Sequence, residues 1–218
     1  MWESFQIYTD NPKFFFDNLG NLISSNKNFK DSFFFTQYYD AYGYHIRFRF
    51  NKHKKIFYNW INDNKFTYLK SIYDPDVIRY GDNNVQYEFF SMKTCYFIVS
   101  NNILSNLESR LSYAFELIIL LVESFNVNNK QFFAKYIKFW GDSFKYINTN
   151  LKDIEYTNVT KNVMTKSHYV EICNLISDMD IENKEKMCFY FIHLTLNRLC
   201  FNIRDEITII NAVKNLEV

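Results

Sequence analysis

Six consecutive residues, His45-Ile46-Arg47-Phe48-Arg49-Phe50, alternate polar and apolar with a strict period of two. A helix would scatter these side chains around its circumference. A strand puts His45, Arg47 and Arg49 on one face and Ile46, Phe48 and Phe50 on the other, so the segment must be a strand whose apolar face is covered. Neighbours on one face of a strand stand roughly 6.5–7 Å apart. Two permanent cations and a histidine at that spacing repel one another unless negative charge lies against them. Arginine grips carboxylate or phosphate with a planar fork. The segment by itself leaves two readings open: the floor of an anion site, or a solvated face whose charges pair with nearby acids.

The flanking residues supply the rest of a small sheet. Phe5 to Tyr8 reads as a short strand. Asn11 to Ile23 reads as a helix, with Asn11 as its cap, Pro12 at the first helical position, and Phe15, Leu19 and Ile23 at four-residue spacing. Ser32 to Tyr39 is an aromatic strand, Asp40-Ala41-Tyr42-Gly43 a turn, Phe57 to Phe66 a second helix and Thr67 to Tyr73 a further strand. The order β-α-β-β-α-β predicts a ferredoxin-like antiparallel sheet with two helices on one face. Beyond it the pattern turns helical: Tyr87–Ser100, Leu104–Ser124, Gln131–Ile147, Tyr169–Ile176, Lys184–Phe201 and Asp205–Asn215, with a polar loop from Asn148 to Thr165. The expected fold class is α+β, in a single domain over 1–218. Residues 1–90 are mainly sheet with two helices, and 91–218 mainly helical.

Composition removes several function classes. Lys and Arg total 25 against 24 Asp and Glu, a net charge of +1, which argues against general nucleic-acid or anionic-membrane binding. Cys95, Cys173, Cys188 and Cys200 form no zinc-type spacing with histidines and read as buried free thiols. The N-terminus lacks the regions of a signal peptide, and the most apolar stretch, Phe115 to Val122, is too short for a bilayer, so a cytoplasmic protein without a membrane span is expected. No metal or cofactor motif is present, and there is no GxGxxG, P-loop, GxSxG or HExxH.

Two further clusters carry chemistry. In Tyr73-Asp74-Pro75-Asp76-Val77-Ile78-Arg79-Tyr80-Gly81, Pro75 disfavours helix at Asp74 and starts a turn. Asp76 and Arg79 meet if one helical turn follows, either as a structural ion pair or as an acid holding Arg79 for a ligand. In His193-Leu194-Thr195-Leu196-Asn197-Arg198, His193 and Asn197 face the same way on a helix. His193 is a satisfied core residue or a general acid or base, since its ordinary pKa lies near the working pH.

In this order the three clusters resemble the C-terminal elimination domain of class I lantibiotic dehydratases and the related thiopeptide-type bacteriocin biosynthesis proteins. Phe34 to Asp40 followed by His45-Ile46-Arg47-Phe48-Arg49 is similar to the family's aromatic strand, turn and His-Leu-Arg-Leu-Arg strand. Tyr73 to Gly81 is similar to its Tyr-x-Pro-Glu-x-x-Arg-Tyr-Gly motif, and His193 to Leu199 to its His-x-x-x-Asn-Arg-Leu helix. There are departures. Gln37 stands where the family often has arginine, Asp76 where it has Glu, and Cys200 where a glycine is usual.

The resemblance implies a lyase that removes glutamate from glutamylated Ser or Thr of a precursor peptide, leaving dehydroalanine or dehydrobutyrine. It implies a free-standing component needing no cofactor. Its partners would be the precursor peptide and a separate glutamyl-tRNA-dependent glutamylating component, with a cyclase as a candidate third. Arg47, Arg49 and Arg79, the last held by Asp76, would bind the glutamyl carboxylates, and His193 would move the proton. His45, Tyr80, Asn197 and Arg198 would contact substrate. Two other readings stay open on the same scaffold: an enzyme joining two dehydroalanines by [4+2] cycloaddition, and a peptide-binding scaffold without catalysis.

Overall fold

The computed structural model describes residues 1–25, 27–74, 83–143, 151, 163–179 and 184–216. They fall into two compact units, Met1–Ser105 and Asn106–Val218.

In the first unit, strands β1 (Glu3–Tyr8), β2 (Phe33–Asp40), β3 (Gly43–Phe50) and β4 (Thr67–Ser71) form one antiparallel sheet in the order β2-β3-β1-β4. Helix α1 (Pro12–Ser24) follows β1 and α2 (Lys54–Asp63) follows β3, which is the split βαβ arrangement the sequence predicts. Asn11 caps α1 by accepting from the Phe14 amide at 3.1 Å, with Pro12 next to it where no amide is needed. Helix α2 starts at Lys54, ahead of the expected Phe57, because His53 turns into it in the left-handed region at φ 54°.

Pleating sorts the sheet's side chains onto two faces. Phe5, Ile7, Phe33, Phe35, Ile46, Phe48 and Phe50 are fully buried. Rings from the two helices meet them: Phe48 lies 5.7 Å from Phe15, 5.3 Å from Phe57 and 5.7 Å from Trp60, centroid to centroid. Such pairs add about 0.5–1.5 kcal/mol each beyond simple burial. At the far end of β1, Glu3 accepts from Lys54 at 3.1 Å and Tyr58 at 3.0 Å and lies 2.8 Å from Lys70. Lys70 above all holds the Glu3 carboxyl down to about 2, against the desolvation that opposes it.

Helix α3 (Asn84–Ser100) also belongs to this unit and packs on β2 and α1. The outer edge of β2 is not left open: the Cys95 thiol accepts from the Phe35 amide at 3.3 Å and approaches its carbonyl at 3.6 Å.

The second unit is built on α4 (Leu107–Phe125), which contacts α6 (Lys166–Ser177), α7 (Lys184–Arg198) and α8 (Ile203–Asn215); α5 (Asn129–Ser143) packs on α8. Helix α4 begins at Leu107 rather than Leu104, because the Asn106 side chain accepts from the Ser109 amide at 2.8 Å and sets the cap there. Glu116 projects from α4 and accepts from the amides of Val163 and Met164, both at 2.7 Å, just ahead of the Thr165 cap of α6. No single helix among the described residues is long and apolar enough to cross a membrane. Cys95 and Cys188 are buried as expected, but Cys173 is only half-buried and Cys200 is exposed.

Cys200 also explains one departure from the family pattern. It sits at φ 62°, with its amide donating to the Asn197 carbonyl and the Phe201 amide to the Leu196 carbonyl. That is a left-handed helix end, the position glycine suits. Cys200→Gly is expected to stabilise the second unit by about 1 kcal/mol, the left-handed penalty less glycine's extra unfolded-state entropy, read as a raised melting temperature.

Candidate functional site

On the polar face of the sheet the register lines up three rows. Phe34, Arg49, Ser4 and Ser71 lie across one; Thr36, Arg47, Gln6 and Leu69 across the next; Tyr38, His45, Tyr8 and Thr67 across the third. Arg47 and Arg49 are half-buried. Among the described residues no carboxylate lies within ion-pair distance of either, and their buried Nε atoms have no hydrogen-bond partner there. Aromatic rings take that place. The Arg47 guanidinium carbon lies 3.5 Å from the centre of the Tyr38 ring; that of Arg49 lies 5.3 Å from Phe34 and 5.2 Å from Tyr73.

The energetics favour a bound anion. Two cations about 7 Å apart repel by about 2 kcal/mol at an effective dielectric of about 20. Cation–π contact returns roughly 0.5–2 kcal/mol per arginine but neutralises nothing. Burial pushes the Arg49 pKa down, partly opposed by Tyr87 and Tyr73, yet a guanidinium stays charged at any working pH. The paired-acid reading of this strand therefore finds no support among the described residues.

His45 is wholly buried, with its ring 5.0 Å from Tyr8 and 6.1 Å from Tyr38. Desolvation lowers its pKa, although Asp40 Oδ2 lies 3.5 Å from Nδ1. The charge of this face is thus carried by the arginines. Gln37 pairs opposite Ile46, on the other face from Arg47, and its side chain accepts from the Tyr44 hydroxyl. Its replacement of the family's arginine leaves the arginine rows untouched.

The second unit holds a different set. On α7, His193 Nδ1 lies 3.1 and 3.0 Å from the two carboxylate oxygens of Glu206 on α8. Glu206 is 1% exposed, and its Oε2 accepts from the Tyr136 hydroxyl on α5 at 2.9 Å. Burial pushes the Glu206 carboxyl upward, opposed by the hydrogen bonds from His193 and Tyr136. The Trp140 ring lies 4.7 Å from the His193 ring at 32° and flanks it. The His193 side chain keeps 23% of its surface, whereas the other core histidine of this unit, His168, is buried against the Tyr113 hydroxyl at 2.9 Å. Asn197 is half-buried one turn on, and Arg198 is wholly buried, its guanidinium enclosed rather than offered to solvent.

The expected site residues thus divide. His45, Arg47 and Arg49 share one sheet face in the first unit; His193, Asn197 and Arg198 lie on one helix of the second. Asp76, Arg79 and Tyr80 fall outside the described residues. Sequence reasoning missed Glu206 and Tyr136. A signal for Glu206 was present: it stands four before Ile210 and seven before Val213, an acid on the apolar stripe of its helix. Among the described residues no group of three or more His, Cys, Asp or Glu side chains is placed to hold a metal ion.

The first unit is thus a split-βαβ sheet whose arginines meet no acid among the described residues, and the second a helical unit with a carboxylate-bonded histidine. The family model described as lantibiotic biosynthesis dehydratase C-term matches residues 2–216. The chain belongs to that family. Among solved structures it is similar to the tRNA-dependent lantibiotic dehydratase MibB from Microbispora sp. 107891, at 13% identity and a TM-score of 0.63, over 98% of this chain. The chain spans 27% of the length of MibB, and at that identity the likeness speaks to fold. No curated relative matches the sequence.

Proposed function

We propose that this protein acts in the dehydration stage of lanthipeptide- or thiopeptide-type biosynthesis, as a lyase that eliminates glutamate from glutamylated Ser or Thr of a precursor peptide. The observation that carries the reading is the Arg47–Arg49 pair on β3, which has no carboxylate partner among the described residues and is braced by Tyr38, Phe34 and Tyr73. A glutamyl ester carries a free carboxylate and departs as a second one, so the reaction supplies the negative charge these guanidinium groups do not meet among the described residues.

Elimination removes the α-hydrogen of the esterified residue. Its electron pair forms the Cα=Cβ bond, and the Cβ–O bond breaks to release glutamate. The arginines hold the glutamyl carboxylates and stabilise charge on the departing oxygen; the resemblance adds Arg79, held by Asp76, to this clamp, and Tyr80 and Asn197 to substrate contact, whereas His45 and Arg198, to which it gives the same role, are wholly buried. His193 handles the proton. The glutamyl group comes from a glutamyl-tRNA-dependent activity in a cytoplasmic setting, and a cyclase acting on the product is a candidate further partner.

The direct test is mass spectrometry of a precursor peptide bearing one glutamylated Ser after incubation with the purified protein. Loss of the whole glutamyl group, leaving dehydroalanine, is expected; recovery of the unchanged ester would refute the reading. Arg47→Ala and Arg49→Ala are each expected to slow glutamate release about a hundredfold, as removal of one donor from a developing oxyanion does. Lysine at either position should restore only part of that rate, because a point charge does not replace a planar fork.

A further inference from the structure

The contact of α7, α8 and α5 carries an assignment beyond the arginine clamp: whether His193 works as acid or as base. We infer that Glu206 is a positioning residue that holds the His193 proton on Nδ1, so that Nε2 faces outward as the base that takes the α-hydrogen. This deepens the elimination reading and rests on it.

Both Glu206 oxygens lie on Nδ1, at 3.0 and 3.1 Å, so the imidazole is held from one side by a carboxylate that can only accept when ionised. Tyr136 donates to the same carboxylate at 2.9 Å and stabilises its ionised form. With Nδ1–H committed, the lone pair lies on Nε2, for which no partner is found among the described residues, and the side chain as a whole keeps 23% of its surface. Trp140 fixes the ring plane. When Nε2 takes a proton, the imidazolium forms beside a buried carboxylate, where opposite charge counts for more than in water.

The other ionisable groups near the pair are Asp205 on α8, Tyr136 on α5 and Cys188 on α7. Asp205 accepts from the Asn202 amide in the cap of α8; burial raises both Tyr136 and Cys188 and keeps them neutral.

The chemistry points the same way. The leaving group is the ester-linked carboxyl of glutamate, whose conjugate acid has a pKa of about 3.5, so it departs without help from an acid. The α-hydrogen is the reluctant proton, and its removal needs a base. Proton and charge balance: Nε2 gains the α-hydrogen, the C–H pair becomes the double bond, and glutamate leaves with the C–O pair.

The test compares the full-length protein with Glu206→Gln, Glu206→Asp and Tyr136→Phe by two readouts: nitrogen NMR of the His193 ring, which reports the tautomer without turnover, and the pH dependence of glutamate release from the glutamylated peptide. The expected result is an Nδ1–H tautomer in the wild type, its loss in Glu206→Gln, a fall in rate of about a hundredfold or more, and an acidic limb moved to lower pH. Glu206→Asp should recover part of the rate. Tyr136→Phe, which keeps the ring packing, should show a smaller shift in the same direction and serves if Glu206→Gln does not fold.

A wild-type Nε2–H tautomer, or a Glu206→Gln protein with wild-type rate and pH profile, overturns the assignment while leaving elimination intact. If the wild type releases no glutamate, elimination itself fails, and the NMR still decides. A tautomer that changes with Glu206→Gln supports the positioning role, and one that does not refutes it.

Discussion

Replacing His193 with alanine is expected to slow glutamate release by about a thousandfold, the middle of the range a positioned proton-transfer group contributes, while the second unit stays folded. Fold and chemistry separate here because the histidine sits at the border of the core. Its side chain is 23% exposed, and its one direct polar partner among the described residues is Glu206. Removing the ring lets water reach that carboxylate, which keeps the Tyr136 hydroxyl. The stability cost is therefore about 1–3 kcal/mol, that of a weakened buried hydrogen bond. Circular dichroism and a melting curve measure the fold, and single-turnover mass spectrometry measures release. A variant that melts as the wild type does and still eliminates at the wild-type rate would remove His193 from the chemistry.

Phe48→Ala is expected to destabilise the first unit by about 3–5 kcal/mol, the usual cost of deleting a buried aromatic side chain and leaving a cavity. Phe48 is fully buried and its ring stands within 5.8 Å of Phe15, Phe33, Phe50, Phe57 and Trp60. Rings from two strands and two helices converge on this one side chain, and none of them can fill its volume without leaving its own place. Because domains of this size are stable by only about 5–15 kcal/mol, the loss should appear as a midpoint shift of several tenths of molar denaturant or more, or as outright unfolding. Tyr39→Ala, at a ring 79% exposed on β2, the partner strand of the same hairpin, is the control and should change stability by no more than about 0.5 kcal/mol. The same substitution at Phe48 should abolish the anion binding proposed for Arg47 and Arg49, since β3 carries both sets of side chains on its two faces.

These two residues also show how differently fold and site can be read. The period of two around Phe48 is a local fact, visible within six residues, because pleating forces alternate side chains to opposite faces. The Asn11-Pro12 cap and the Asp40 to Gly43 turn are local in the same sense, and so the order and hairpin of the sheet were legible. Helix α3 was not. Its pattern is helical like the residues after it, yet it groups with the sheet out to Ser105, since Cys95 and its neighbours pack on an edge strand 60 positions earlier. No periodicity encodes which helix a strand edge will meet.

The sequence alone determined the local conformations, the division of β3 into a cationic and an apolar face, and the presence of His193 on a helix with its family signature. Each follows from backbone geometry and side-chain chemistry within a few residues. Tertiary structure alone decided that, among the described residues, aromatic rings rather than acids stand against Arg47 and Arg49, and that His193 is held by Glu206, 13 positions away, and through it by Tyr136, 70 positions from that glutamate. The physical reason is the same in both cases. Hydrogen bonds and charge interactions act over a few ångströms of space, and only the packing of elements distant in sequence sets which groups come that close.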